Sequence, residues 1–315
     1  MKLAVVGNGA FGHKHLDALQ NIEDVEVVNV VGANEGRTKA TADKYSIPSH
    51  TTNFKEIVDD NKIDAVIIAS PTQIHATQAI ELMQSGKHVM IEIPMADSLT
   101  DSQNIVRVQK ETGLVAMAGH TRRFNPSHQW MHNKIKAGEL NIQQMDIQTY
   151  FFRRQNLNAL GEARSWTDHL LWHHACHSVD LFAYQTGEKI VQVQAMQGPI
   201  HKELGIAMDM SIGLKSESGA VCTLSLSFNN DGPLGTFFRY ICDNGTYLAR
   251  YDDLFNGKEN QIDVSKVAVS MNGIELQDRE FISAIREKRE PNASVQDALS
   301  AMEVLHQLEL KLQGK

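Results

Sequence analysis

His173, His174 and His177, followed by Asp180, gather proton-handling side chains within one short stretch of the sequence. In a helix over 169–185, positions four apart share a face, so His173 and His177 stand together and Asp180 continues their stripe. Trp172, Cys176, Val179 and Ala183 make the adjacent apolar stripe. A neutral imidazole, with an ordinary pKa of about 6.5, is a competent base near neutral pH. The pattern suits removal of a hydroxyl proton, with His173 or His177 as general base. Two other uses fit the same spacing. The histidines could be packing or surface polar groups, or two of them could chelate zinc with Asp168, His169 or His120 as a third ligand. We expect proton transfer and no metal.

A second group is Gly7-Asn8-Gly9-Ala10-Phe11-Gly12, directly after an apolar run. Glycines so spaced permit a tight turn, close approach to a pyrophosphate and close helix–strand packing, and the helix that follows offers its positive end to phosphate. A bare glycine-rich turn is the alternative. Here the loop opens a strand–helix–strand sequence, so a bound dinucleotide is expected. About twenty residues past Gly12, an NAD enzyme usually presents Asp or Glu to the adenine ribose. This chain has Gly32-Ala33-Asn34 there, with Arg37 and Lys39 close by. No carboxylate repels a 2′-phosphate, so NADP is expected ahead of NAD, unless the two cations merely solvate a helix face.

The elements that must hold these groups are legible as rhythm. Lys2–Val6, Val25–Val31, Ala65–Ile68, His88–Ile91 and Leu114–Ala118 read as strands buried on both faces. Helical patterns separate them, over Phe11–Gln20, Arg37–Tyr45, Asn53–Asp60, Ile74–Ser85 and Thr100–Thr112. This predicts a doubly wound parallel sheet, a Rossmann dinucleotide-binding domain over 1–120. A helix over Asn125–Ala137, a strand over Gln143–Arg154 and the histidine helix follow. Strands then come in close succession over Ile190–Met196, Asp209–Lys215, Ala220–Ser227, Leu234–Cys242 and Thr246–Arg250. They predict an open, mostly antiparallel sheet, with a hairpin at Asn244-Gly245. Ser294–Gln313 returns to helix, and 121–315 reads as one α+β domain for substrate binding and oligomerisation.

The 315 residues are 42% hydrophobic with a net charge of −8, ordinary globular composition that argues against a nucleic-acid surface. No apolar run approaches the about 18 residues of a membrane span. Three scattered cysteines make neither a disulfide framework nor a cysteine zinc module. Met1–Gly12 enters a strand pattern without signal-peptide anatomy, so a cytoplasmic protein is expected, binding neither nucleic acid nor membrane.

Ser70-Pro71-Thr72-Gln73-Ile74-His75 and Gly86-Lys87-His88-Val89-Met90-Ile91-Glu92-Ile93-Pro94 resemble the Gfo/Idh/MocA family of oxidoreductases, over nearly the whole chain. The resemblance implies the two-domain plan above and reversible hydride transfer at a CH–OH carbon. It adds Ser70, Pro71, Thr72, His75, Glu92 and Ile93 to the cofactor residues Gly7, Gly9, Ala10, Phe11, Gly12, Gly32, Ala33, Asn34 and Arg37. The chain departs from the family twice. Glu92-Ile93-Pro94 has isoleucine where the family has lysine, and His173-x-x-x-His177-x-x-Asp180 has histidine where it has aspartate. The missing lysine leaves the base to the second domain.

Gly119–His128, Ser165–His174 and Ser227–Thr236 resemble one branch of that family, whose substrate is a dicarboxylate cyclic hemiacetal oxidised to a lactone with NADP. Such a substrate needs arginine forks. Candidates are Arg122, Arg123, Arg153, Arg154 and Arg164, with His120 and Asp168 beside them. Strand alternation puts Arg153 with Met145, Ile147 and Phe151 on the inward face, which favours it over Arg154. The open sheet is expected to form a homodimer. Another dehydrogenase of the family, acting on a carboxylated or sugar-like hydroxyl, and a non-catalytic NADP-binding sensor remain alternatives.

Overall fold

Branched apolar residues build the first sheet: β1 (Lys2–Val6), β2 (Glu26–Val31), β4 (Ala65–Ile68), β5 (His88–Ile91) and β6 (Ala116–Ala118). The structure, a computed structural model, describes residues 1–157, 161, 163–164, 167–267 and 273–314. A short polar edge strand, β3 (Ser49–Thr51), completes the order β3-β2-β1-β4-β5-β6, with every pairing parallel. Its three residues carry no apolar run, which is why periodicity did not announce it. Leu3 to Val6 and Ala65 to Ile68 are buried on both faces, as a sheet flanked by helices requires. The intervening helices are α1 (Ala10–Leu19), α2 (Glu35–Tyr45), α3 (Phe54–Asp59), α4 (His75–Gln84) and α5 (Leu99–Thr112). Their ends follow the local chemistry. Asn34 and Ser98 cap α2 and α5 by accepting from the amides of Arg37 and Asp101, and Gly113 ends α5 in the left-handed conformation.

The second sheet runs β14-β13-β12-β11-β7-β10-β9-β8. Its strands are β7 (Ile142–Tyr150), β8 (Ile190–Gln197), β9 (Asp209–Ser216), β10 (Val221–Ser227), β11 (Gly235–Cys242), β12 (Gly245–Arg250), β13 (Asp253–Asn256) and β14 (Gln261–Ile262). β7 and β10 pair in parallel and the other pairings are antiparallel. The hairpin lies one residue earlier than expected. Cys242 pairs with Gly245, leaving Asp243-Asn244 as the two-residue loop. Alternation along β9 and β10 buries Met210, Ile212, Leu214, Cys222, Leu224 and Leu226. On the same chain segment α6 (Pro126–Lys136) precedes β7, and a π-helical turn (Leu170–Ala175) leads into α7 (Cys176–Thr186).

The chain divides into two compact units, Met1–His120 with Ile274–Leu299, and Thr121–Gly273 with Ser300–Lys315. The C-terminal part expected to lie wholly in the second domain is thus shared out, and the reason is local. Helix α8 (Ile274–Glu287) buries Ile274, Asp278, Phe281 and Ile282 and packs on α1. The strand edge at β6 is then met by the residues that follow, with the Ala118 amide donating to the Ala293 carbonyl at 2.9 Å. Helix α9 (Val295–Leu312) closes the sequence. No described helix is long and apolar enough to cross a membrane. Cys176, Cys222 and Cys242 are buried free thiols.

Candidate active site

The loop after β1 divides its three glycines between two duties. A Cβ on Gly7 would lie 2.3 Å from the Ala69 carbonyl oxygen, and Gly7 has φ of +110°. A Cβ on Gly12 would lie 1.9 Å from the Gly7 carbonyl oxygen. A Cβ on Gly9 would meet nothing within 4 Å. Two glycines therefore close the turn, while Gly9 keeps an open approach to the N-terminus of α1, which no side chain caps. That division fits a dinucleotide pyrophosphate. Ala10 and Phe11 begin α1 at the surface, with the Lys14 ammonium over the Phe11 ring.

The segment after β2 is tighter than the sequence suggested. A Cβ on Gly32 would lie 2.3 Å from Thr38 Oγ1 and 2.6 Å from Asn8 Oδ1. Asn8 Nδ2 donates to Thr38 Oγ1 at 3.3 Å, tying the glycine loop to α2. A side chain at position 32 would therefore force Thr38 or Asn8 to shift. Ala33, Asn34 and Arg37 are exposed beside it.

Pro71 is exposed and Thr72 buried at the end of β4. His75 is buried, its Nδ1 3.0 Å from the Pro94 carbonyl and its Nε2 2.8 Å from the Ser70 carbonyl. A backbone carbonyl faces each ring nitrogen, and a neutral ring donates to one of them at a time, so His75 ties the loop after β4 to the loop after β5. Burial pushes its pKa down. Glu92 and Ile93 are half-buried after β5. The imidazole of His15, which the sequence reading missed, is 3.0 Å from Glu92 Oε1. Its signal was its place three residues after Gly12, on the inward face of α1.

In the second unit Asp168 is a hub. Both of its carboxylate oxygens take the Arg153 fork, with Nη2 at 2.8 Å from Oδ2. Arg164 Nη1 donates to Oδ1 at 2.8 Å, and His174 Nε2 lies 3.2 Å from Oδ2. Burial alone would raise the Asp168 pKa, but the bonds from His174 and Arg153 override it and hold the carboxyl well below its usual range. The Arg153 guanidinium lies 4.2 Å from the Phe228 ring centre, and His174 meets the same ring edge-on. Asp168, Arg153, Arg164 and His174, with Phe151, Phe152 and Arg154, line an open cavity of about 560 Å³. Three guanidinium groups against one carboxylate make it cationic. Arg154 is exposed and bonds the Arg153 carbonyl and Asn229 Oδ1.

Other candidates lie elsewhere. Arg123 is buried with its fork on Asp180 at 2.6 and 2.8 Å, an internal ion pair away from the Asp168 cluster. Arg122 is enclosed between the Tyr251 and Phe238 rings, and burial lowers its pKa. His120 is buried at the end of the first unit's N-terminal segment. Ser165 and Trp166 of the Ser165–His174 motif lie outside the described residues.

His173 and His177 are half-buried along the π turn and α7. A π turn inside an α-helix recurs at functional sites. The His169 amide donates to His173 Nδ1 at 3.2 Å. A neutral His173 therefore carries its proton on Nε2, where it can donate but not accept. His174, rather than His173 or His177, lines the cationic cavity. Among the described residues no group of three or more His, Cys, Asp or Glu is placed to hold a metal ion.

A Rossmann sheet with a glycine loop open only at Gly9 defines a dinucleotide-binding oxidoreductase. Residues 1–120 match an oxidoreductase family described as having an NAD-binding Rossmann fold, and residues 126–268 match the C-terminal domain of bacterial oxidoreductases. The chain belongs to the Gfo/Idh/MocA oxidoreductase family. It is 65% identical over 313 residues to a 4-carboxy-2-hydroxymuconate-6-semialdehyde dehydrogenase from Sphingobium sp. (strain NBRC 103272 / SYK-6), with 99% of each chain covered. It is 27% identical to a scyllo-inositol 2-dehydrogenase (NAD(+)) from Bacillus subtilis (strain 168), over 70% of this chain and 65% of that one. Two solved structures share the fold at 18% identity. Levoglucosan dehydrogenase in complex with NADH has a TM-score of 0.87, over 100% of this chain and 97% of that one. UDP-N-acetylglucosamine 3-dehydrogenase from Acidithiobacillus ferrooxidans has a TM-score of 0.84, over 100% and 98%.

Proposed function

We propose that this protein is an NADP-dependent dehydrogenase of the protocatechuate 4,5-cleavage pathway. Its reaction oxidises the cyclic hemiacetal of 4-carboxy-2-hydroxymuconate-6-semialdehyde to 2-pyrone-4,6-dicarboxylate. The observation that carries this reading is the Arg153–Arg154–Arg164 cavity around Asp168, a cationic recess suited to a dicarboxylate in a protein of net charge −8. The 65% identical relative supports the same substrate.

A bound nicotinamide dinucleotide supplies the hydride acceptor. Gly9 and the N-terminus of α1 would hold its pyrophosphate, and Arg37 with the Asn34 segment would take the 2′-phosphate that a carboxylate at Gly32 would repel. Arg164 and Arg153 hold a substrate carboxylate, with Asp168 fixing both guanidinium planes and His174 closing the network. His177 takes the hydroxyl proton, because His173 is committed at Nδ1 and donates from Nε2 to orient the same oxygen. A hemiacetal hydroxyl is more acidic than a simple alcohol, since the ring oxygen withdraws electrons. An imidazole then suffices where the family uses lysine.

The test mixes purified protein with the ring-cleavage product and either NADP or NAD, following reduced-cofactor fluorescence and lactone formation. Lactone formation with the higher kcat/KM for NADP is expected. Equal or better use of NAD overturns the cofactor preference. Cofactor binding without turnover leaves a sensor in place of an enzyme. We also propose a homodimer through the second sheet, where Val191, Met196 and Val221 stand exposed. A monomer by light scattering at micromolar concentration would refute that arrangement.

A further inference from the structure

The first unit contains a buried charged cluster that the reaction above does not use. His15 on α1 and Asp278 on α8 have no exposed surface, and Glu92 follows β5 with little. His15 Nδ1 lies 2.9 and 3.1 Å from the two Asp278 oxygens, and Nε2 lies 3.0 Å from Glu92 Oε1. Glu92 is boxed in on its other sides. Its Oε2 accepts from the Ile93 amide at 3.3 Å, and a Cβ on Gly119 would lie 2.9 Å from Oε1.

A neutral imidazole donates from one nitrogen only, and here a carboxylate faces each nitrogen. An imidazolium satisfies both. So does a neutral ring that accepts from a protonated Asp278, whose pKa burial pushes up, and either arrangement leaves the same net charge. Burial pushes the His15 pKa down, but Asp278 and Glu92 together raise it to about 10. With the ring charged, two carboxylates and one imidazolium leave one net negative charge. Glu92 sits at the carboxyl end of a parallel strand, the edge at which open α/β sheets receive their ligands.

We propose that His15 and Asp278 are positioning residues that fix the Glu92 carboxylate as a counter-charge for the oxidised, positively charged nicotinamide. The cluster thereby favours the oxidised cofactor over the reduced one, which suits a dehydrogenase working in the direction of hydroxyl oxidation. This rests on the dinucleotide reading but not on the identity of the substrate.

The test is a pair of titrations, NADP⁺ and NADPH, on wild-type protein and on Asp278→Asn and Glu92→Gln, read by protein and nicotinamide fluorescence without substrate. Each variant removes the net charge. The ratio of NADPH to NADP⁺ dissociation constants is expected to fall about tenfold, as loss of one screened unit charge gives. A purely structural role would weaken both forms in proportion, and that result overturns the proposal. Should either variant fail to fold, ¹³C chemical shifts of the wild-type Glu92 carboxyl decide, because a protonated Glu92 at pH 8 also overturns it. Binding of neither form by wild-type protein would defeat the dinucleotide reading itself, and this inference with it.

Discussion

At single residues, the assignments turn on which polar atoms are already committed. His173 Nδ1 accepts from the His169 amide, and His177 is the base we propose. Replacing His177 with Ala should lower kcat by about 10²–10⁴-fold, the usual worth of a positioned base, and His173→Ala should cost less. Steady-state kinetics against pH checks this, since activity should fall as the base protonates, and near-normal kcat in His177→Ala would end the assignment. The arginines separate in the same way. Arg164→Ala and Arg153→Ala are expected to raise KM while cofactor affinity stays normal. Arg123→Ala should instead destabilise the fold by about 3–5 kcal/mol, because Asp180 is left buried and charged. Urea unfolding beside kinetics separates the two classes. Nothing in the sequence distinguished Arg123 from Arg122 or Arg153, since its partner lies 57 residues away and appears only when α7 is placed. Gly32 teaches a similar lesson. An aspartate at 32 would test cofactor preference only at the cost of displacing Thr38 or Asn8, whose side-chain oxygens lie 2.3 and 2.6 Å from where its Cβ would stand. Arg37→Ala is the cleaner variant for that purpose.

Among elements, the turn between β1 and α1 makes the sharpest prediction. Gly7→Ala and Gly12→Ala should each destabilise the protein, by about 1–3 kcal/mol or more, through backbone clash and, at Gly7, a positive φ. Gly9→Ala should leave stability within about 1 kcal/mol of wild type and lower cofactor affinity, because its Cβ enters the ligand's space rather than the protein's. Equal stability loss at Gly7 and Gly9 would contradict that division of labour. Strands buried on both faces were readable because four or five branched residues in a row have few other uses. Helix α8 was missed although Ile274, Phe281 and Ile282 stand at helical spacing, because charged residues fill the positions between them. The π turn was invisible for another reason. Its wider hydrogen-bond spacing leaves no mark on residue types, yet it carries His174 to Asp168.

In the whole molecule, the charged cluster in the first unit links stability to pH. The folded His15 pKa, about 10, lies above its ordinary 6.5, so its contribution is complete below pH 6.5 and lost as pH rises to 10. Wild-type protein should therefore exceed His15→Gln in unfolding free energy by the widest margin at and below pH 6.5. The margin should narrow steadily toward pH 10 in denaturant titrations, and a constant margin would count against a charged ring. The same cluster bears on how the protein is made. The unit that begins at Met1 is completed only by Ile274–Leu299, which brings Asp278 to His15 and Ala293 to the β6 edge. A ribosome adding roughly 5–20 residues per second exposes an unfinished nucleotide fold for on the order of ten seconds or more before those residues emerge. During that interval α1 lacks its cover and β6 lacks its neighbour, a state in which nascent chains recruit chaperones or aggregate. A fragment ending at residue 120 should accordingly be poorly soluble, and co-expression of a peptide spanning 274–299 should restore it.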